Sequence, residues 1–178
     1  DAFKIKNKSH LNAVALKPFE IKGYIKYAAI AATAYKSDTS WITPFNIDLI
    51  SPKDIDIDVS HISCLEKRDV CFFDETTGLK AIVCENEKNI IIAFGAFGSA
   101  FPETGTEKYN KVADYLKKTI VHNIYFGSKP KYFDDADLLF KKLCSYFGEK
   151  STKPIIVCGQ CLGGSLAQYV GIKNRVST

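Results

Sequence analysis

The chain has 178 residues, of which 46% are hydrophobic and 25% are charged, as in an ordinary globular domain with its own core. The net charge of +4 is too small to indicate a nucleic-acid-binding protein, and no apolar run reaches the roughly 20 residues that span a bilayer. The sequence contains no Met. We therefore expect a processed or partial form of a longer protein, with residues 1–178 forming a single partial domain.

The beginning of the chain is basic. Residues 1–36 hold seven Lys against Asp1 and Glu20. A solvated face is the simpler interpretation of such a stretch, and contact with an anionic membrane surface is the alternative. We interpret residues 1–20 as an N-terminal arm. A first helix is predicted over residues 24–35, because Tyr and Ala recur there at three- and four-residue steps and form one apolar face.

Six cysteines lie at positions 64, 71, 84, 144, 158 and 161. Cys158 and Cys161 form a C-x-x-C pair before a predicted helix, as in a dithiol redox motif, but Cys158 also ends an apolar run and should be buried. A zinc site would need a second such pair, which the sequence lacks, so we predict no metal and no other cofactor. Unpaired cysteines in a domain of this size favour a reducing compartment.

The next segments are a loop and an alternating stretch. Residues 37–53 are rich in Ser, Asp, Thr and Pro, which predicts a loop. Residues 54–59 alternate Asp with Ile or Val, which predicts a strand with the aliphatic side chains inward. The three Asp residues do not match a calcium-binding loop, because that loop needs Gly at its sixth position and Glu at its twelfth. We interpret them as an exposed acidic face.

Two strands, 79–84 and 89–94, flank a polar turn and predict a hairpin. The second is apolar throughout, as is a later strand at 154–158, so we expect these two side by side in the interior of one sheet. Helices are predicted over residues 107–122 and 133–147, and a further helix follows the last strand. This order predicts an α/β fold with a mostly parallel sheet and flanking helices.

The sharpest signal is the turn from Gly159 to Gly164, which reads G-Q-C-L-G-G. It matches the G-x-S-x-G pattern of a nucleophile elbow, with Cys161 in the place of the serine. A nucleophile on a sharp strand-to-helix turn has a strained backbone, so Gly159 and Gly163 must be small for the strand and the helix to approach. The helix directs free N–H groups and its positive end at the nucleophile. The alternative is a glycine-rich turn with a buried structural cysteine.

The turn and the helix that follows it resemble the signature of the class 3 (fungal-type) lipase family, G-H-S-L-G-G-A-L-A-Q. Only Gln160, Cys161 and Ser165 depart from it. The apolar strand ending at Phe94 is similar to the family's strand that ends in F-R-G-T or F-R-G-S, and the likeness extends over roughly residues 20–176. The resemblance implies an α/β-hydrolase fold, an acyl ester or lipid substrate, and Cys161 as the nucleophile.

The resemblance also implies an oxyanion hole made of the backbone N–H groups of Phe97 and Leu162. Two departures weaken this site. The family's Phe-Arg-Gly reads Phe94-Gly95-Ala96 here, so the arginine is missing, and Phe97 replaces a residue with a hydroxyl. Residues 97–108, which are polar around a short apolar patch, are a candidate lid.

The remaining triad members are not visible in the sequence. In this fold the acid and the histidine follow the nucleophile, but no Asp, Glu or His follows Cys161. We therefore expect both beyond residue 178. His10, His61 and His122 all precede the nucleophile, and we interpret His122 as structural.

Two functions fit these observations. The first is a lipase-like or esterase-like acyl hydrolase with a cysteine nucleophile. The second is a non-catalytic hydrolase-fold module, degenerate or engineered, that binds a lipid or a protein partner. The elbow and its context favour the first, and the missing arginine, serine, acid and histidine favour the second. The sequence does not indicate an oligomeric state.

Overall fold

The structure is a computed structural model that describes residues 18–36, 38–96, 114, 127 and 129–178. The predicted helix at 107–122, the candidate lid at 97–108 and most of the N-terminal arm lie outside these residues. No helix in the described ranges is long and apolar enough to cross a membrane.

The first helix, α1, spans Pro18–Lys36 and so confirms and lengthens the helix predicted at 24–35. Its inner face is made of small and aliphatic side chains, which include Ala29, Ile30 and Ala34. The small residues let the helix approach the sheet closely at its C-terminal end. A Cβ atom on Gly95 would lie 2.5 Å from the Ala34 carbonyl oxygen. Residues 37–53 are not all loop, since they include a short strand and three single turns of 3₁₀-helix at Thr39–Trp41, Thr43–Phe45 and Pro52–Asp54.

Six strands form one sheet. They are β1 (Asp48–Ile50), β2 (Leu65–Lys67), β3 (Phe72–Asp74), β4 (Leu79–Glu85), β5 (Ile90–Ala96) and β6 (Ile155–Gly159). The order is β2-β3-β4-β5-β6, and β1 pairs with the C-terminal part of β4.

The sheet contains both parallel and antiparallel pairs. For the described strands, the prediction of a mostly parallel sheet is therefore wrong. Four of the strand pairs are antiparallel, and only β5 and β6 run parallel. The cause lies in the connections. The turns between β3, β4 and β5 are only a few residues long and allow antiparallel neighbours alone, whereas a long crossover separates β5 from β6. The general prediction of an α/β fold is confirmed.

The predicted hairpin is confirmed as β4 and β5, which pair in register from Leu79↔Ala96 to Glu85↔Ile90. Asn86 closes its turn, since its side-chain oxygen accepts hydrogen bonds from the N–H groups of Lys88 and Asn89 at 2.9 and 2.8 Å. The β5 side chains from Ile90 to Phe94 are buried on both faces of the sheet, as their unbroken apolar sequence predicts.

The predicted place of β6 beside β5 is confirmed, but its interior position is only partly realised. On its outer side, the N–H of Val157 donates to the Ser177 carbonyl at 3.0 Å, and Ile156 and Ser177 form a single parallel bridge. Four of the five residues of β6 are half-buried.

Residues 54–59 are not a strand, although their side chains alternate between buried and exposed as predicted. Ile55 is buried, and Ile57 and Val59 pack on the same core cluster. The segment has helix α2 (Lys131–Lys150) beside it, and the Tyr146 hydroxyl donates to the Asp54 carbonyl at 3.2 Å. The alternation thus reflects one side facing the protein, without a partner strand to complete a ladder.

Two core clusters cover the two faces of the sheet. Helix α1 packs on one face, and α2 with α3 (Leu162–Asn174) packs on the other. Helix α2 confirms the helix predicted at 133–147 and continues through Gly148 to Lys150. The cluster under α2 and α3 includes Val83, Ile92, Phe94, Leu139, Leu143, Leu166 and Val170.

Candidate active site

Cys161 lies between the end of β6 and the first residue of α3, at the edge of the sheet where β5 also ends. Its backbone has φ 57° and ψ −122°, a conformation that L-residues other than glycine rarely adopt. The residue is exposed. The sequence thus places an accessible thiol on a strained strand-to-helix turn.

The glycines around Cys161 leave no space for side chains. A Cβ atom on Gly159 would lie 2.2 Å from the Gly163 carbonyl oxygen, and one on Gly163 would lie 2.1 Å from the Phe94 carbonyl oxygen. Real Cβ atoms do not approach other atoms so closely. At Gly164 the nearest atom would be the Gly159 oxygen at 3.3 Å, so this position is tight but less restricted. The start of α3 therefore packs directly on the backbone of β5 and β6.

The beginning of α3 offers one backbone N–H group, that of Leu162, to a negative charge near the thiol. The Gly163 N–H donates to the Gln160 carbonyl at 3.0 Å, and the Ser165 N–H donates to the Cys161 carbonyl at 3.3 Å. Leu162 is the first residue of the helix, so its N–H has no acceptor within the helix. The first turn contains no acidic residue. Phe97, the second predicted oxyanion donor, lies outside the described residues.

A base for Cys161 is not identified in the described part of the chain. His61 is the only histidine there, and its Nε2 lies 3.7 Å from an Asp58 carboxylate oxygen in an exposed pair. His10 and His122 lie outside the described residues. Among those residues, no group of three or more His, Cys, Asp or Glu side chains could hold a metal ion.

The six cysteines are all free, and they differ in environment. Burial raises the pKa of Cys84 and Cys158 to about 12, and that of Cys144 to about 11. The buried thiol of Cys71 also has a raised pKa, because burial disfavours its charge. Only Cys64 and Cys161 are exposed. Burial disfavours the thiolate of Cys158, so this half of the C-x-x-C pair is a poor nucleophile.

A polar cluster that the sequence analysis did not identify fastens α3 to α2. The Asp137 side chain is only 6% exposed and accepts hydrogen bonds from Asn174 at 2.7 Å, Lys173 at 2.8 Å and Lys141 at 2.9 Å. Burial raises the pKa of Asp137, but these three donors outweigh burial and lower it to about 2. The sequence shows Asp137 only as an acidic residue near the start of a predicted helix, because two of its three partners, Lys173 and Asn174, come from α3.

A second buried charge lies on the opposite face of the sheet. Lys80 is 2% exposed, and its Nζ donates to the Tyr35 carbonyl at 3.3 Å, in the last turn of α1. Burial lowers the pKa of this lysine. A cation suits the C-terminal end of a helix, so Lys80 helps to hold α1 against the edge of the sheet that carries Cys161.

No protein-family model, curated protein or solved structure matches this chain. A functional assignment therefore depends on the motif residues and on the geometry around Cys161. The structure brings together Gly159, Cys161, Leu162, Gly163 and Gly164, which are five of the six predicted site residues, and the sixth is Phe97.

Proposed function

We propose that this chain is an acyl hydrolase, of the class 3 lipase-like lineage that its elbow resembles, with Cys161 as the nucleophile. The observation that carries the proposal is the backbone of Cys161, at φ 57° and ψ −122°, in a residue that is exposed. Such a conformation costs about 1–3 kcal/mol and persists only where the surroundings impose it. An exposed thiol gains little from packing, so presentation of its sulfur to a substrate accounts for the strain.

The chemistry follows from the position of the sulfur. The Cys161 thiolate attacks the carbonyl carbon of an ester or thioester, and an S–C bond forms while the carbonyl oxygen becomes an oxyanion. The N–H of Leu162 is the first proposed donor to that oxyanion, and the N–H of Phe97 is the second. The C–O or C–S bond to the leaving group then breaks, and the leaving alcohol or thiol takes up a proton. The product is a thioester on Cys161, which water must hydrolyse.

Hydrolysis of this thioester requires a base to activate water. A triad histidine and acid for this step are not assigned to any described residue, and His61 is already paired with Asp58. We therefore expect the 178-residue chain to be acylated once and to release its acyl group slowly.

The test is a burst experiment with p-nitrophenyl acetate. We expect release of one p-nitrophenol per chain, without steady turnover, and an acetyl group found by mass spectrometry on the peptide that contains Cys161. The variant Cys161→Ala should lose both the burst and the adduct. The matched control Cys64→Ala removes the other exposed cysteine and should keep both.

Two results would change the interpretation. Absence of both burst and adduct would contradict the hydrolase proposal and favour a non-catalytic module that binds a lipid or a protein partner. Steady turnover abolished by Cys161→Ala would mean that the chain itself supplies the base, and His122 would be the first residue to substitute.

A further inference from the structure

The N-terminal half of α1 presents apolar side chains to solvent. Tyr24 is 61% exposed and Ile25 is 46% exposed, and Gly23 and Ala28 are exposed beside them. Of the five large hydrophobic side chains that are exposed in the described part of the chain, these are the only two adjacent in sequence. Exposed single hydrophobic residues are common, but the exposed Ala28 lies four residues after Tyr24 and three after Ile25, so the three side chains form one small apolar patch.

Basic residues accompany this patch. Lys26 follows Ile25 in the chain, and its Nζ lies 4.9 Å from the ring centre of Tyr27. Five further lysines precede the patch, at positions 4, 6, 8, 17 and 22, against only Asp1 and Glu20. Residues 1–36 thus carry more positive charge than the whole chain, whose net charge is +4.

We propose that the patch formed by Tyr24, Ile25 and Ala28, which follows a basic stretch of sequence, docks on an anionic lipid bilayer surface. A tyrosine ring is suited to the boundary between headgroups and acyl chains, and an isoleucine can enter the acyl region. Each lysine near an anionic surface adds roughly a fivefold increase in partitioning. The combination of a basic stretch of sequence with the exposed apolar side chains of α1 fits this surface better than it fits a neutral partner.

The fold fixes how such docking would orient the molecule. Lys26 lines a cleft of about 300 Å³ together with Asn86, Glu87 and Lys88, in the turn between β4 and β5. Further along the helix, Ala34 lies against Gly95 at the other end of β5. Helix α1 therefore runs along the sheet from the edge with the hairpin turn to the edge with Cys161, a distance of about 15 Å.

Docking through the patch would therefore take place about 15 Å along α1 from the edge of the sheet that carries Cys161, and would leave the thiol uncovered.

The test is co-sedimentation of the chain with phospholipid vesicles. We expect binding to phosphatidylcholine vesicles that contain phosphatidylserine, weak binding to pure phosphatidylcholine vesicles, and loss of binding at high salt. The double variant Tyr24→Ser, Ile25→Ser should weaken partitioning by about tenfold. Ile172→Ser is the matched control, because Ile172 is 81% exposed on α3, and it should leave binding unchanged.

Three outcomes would overturn the docking proposal. These are no binding to anionic vesicles, equal loss of binding in the Ile172→Ser control, or a dimer in light scattering that Tyr24→Ser abolishes, which would assign the patch to a second copy of the chain. Cys161→Ala should bind vesicles as strongly as the unaltered chain. A failed burst experiment with normal vesicle binding would therefore refute the hydrolase proposal alone.

Discussion

Gly163 at the start of α3 lies against the carbonyl oxygen of Phe94 in β5, and a Cβ atom there would approach that oxygen to 2.1 Å and the Gly95 Cα to 2.9 Å. The atoms it would meet are backbone atoms of a buried strand, which cannot move aside as a flexible side chain could. This contact sets how close α3 comes to the sheet, and with it the position of Cys161 above the ends of β5 and β6.

Substitution of Gly163 should therefore be costly. We expect Gly163→Ala to lower the free energy of unfolding by about 3 kcal/mol, since the helix must move off the sheet. Gly148→Ala is the matched control: Gly148 is in α2, and a Cβ atom added there would have no neighbour within 4 Å, so the change should stabilise the chain by about 0.5–1 kcal/mol. Urea unfolding of both variants measures the difference. A Gly163→Ala variant as stable as the unaltered chain would disprove the close approach.

The strained backbone of Cys161 predicts an unusual order of stabilities. Glycine adopts φ 57° without the steric cost that a Cβ imposes, so Cys161→Gly should unfold with a free energy about 1 kcal/mol higher than Cys161→Ala. At an ordinary helical position the order is reversed, and Ala28→Gly in α1 should be destabilising by about 1 kcal/mol. If the alanine variant at position 161 is as stable as the glycine variant, the turn is not strained.

The sequence predicted correctly the elements that depend on local patterns. Its predictions were wrong where contacts with distant segments determine the structure. The hairpin of β4 and β5, the helices α1 and α2 and the strand β6 follow from periodicity and apolar runs. The segment 54–59 has the alternation of a strand, yet it has α2 beside it and no partner strand. Whether an alternating stretch pairs depends on what lies next to it, which one sequence does not reveal.

Gly95 illustrates the same limit at the candidate site. The family that the elbow resembles has arginine at this place. From the sequence alone, the loss of this arginine predicts a weakened oxyanion hole. In the structure, a Cβ at position 95 would lie 2.5 Å from the Ala34 carbonyl oxygen. The C-terminal end of α1 therefore excludes any side chain there, and the departure is explained by helix packing.

Asp137 predicts a pH dependence of stability. Its pKa is about 2 in the folded chain against 3.8 for an unperturbed carboxyl group, because hydrogen bonds from Asn174, Lys173 and Lys141 outweigh the effect of burial. A folded-state pKa below the unfolded value means that the stabilisation is complete above 3.8 and is lost as the pH falls from there towards about 2. Asp137→Asn should therefore lower the free energy of unfolding by about 2 kcal/mol at neutral pH, and by much less in acid.

Asp134→Asn is the control for this prediction. Asp134 is 52% exposed in the same helix and pairs with Lys129, so its substitution should change the free energy of unfolding by less than about 0.5 kcal/mol. The measurement is urea unfolding of the three proteins between neutral pH and pH 3. A loss in Asp137→Asn that stays constant over this range would show that the carboxylate charge is not the source of the stabilisation.

The reactivity of Cys161 towards iodoacetamide tests the candidate nucleophile without a substrate. The buried thiol of Cys84 and the half-buried thiols of Cys144 and Cys158 have raised pKa values because burial disfavours the thiolate, so they should react very slowly at neutral pH. Cys64 and Cys161 are both exposed, and they differ in that Cys161 precedes a 13-residue helix with no acid in its first turn. Cys161 stands at the positive end of that helix, which attracts negative charge, so we expect it to be alkylated about two- to fivefold faster than Cys64.

Mass spectrometry of the two cysteine-containing peptides over time gives both rates in one reaction. Cys64→Ala should leave the faster phase intact, and Cys161→Ala should remove it. High salt should reduce the ratio of the two rates, because the effect of a helix end on an exposed thiol is screened by ions. If Cys64 reacts faster than Cys161, the helix does not activate the elbow thiol, and attack on an acyl carbon by this residue loses its physical basis.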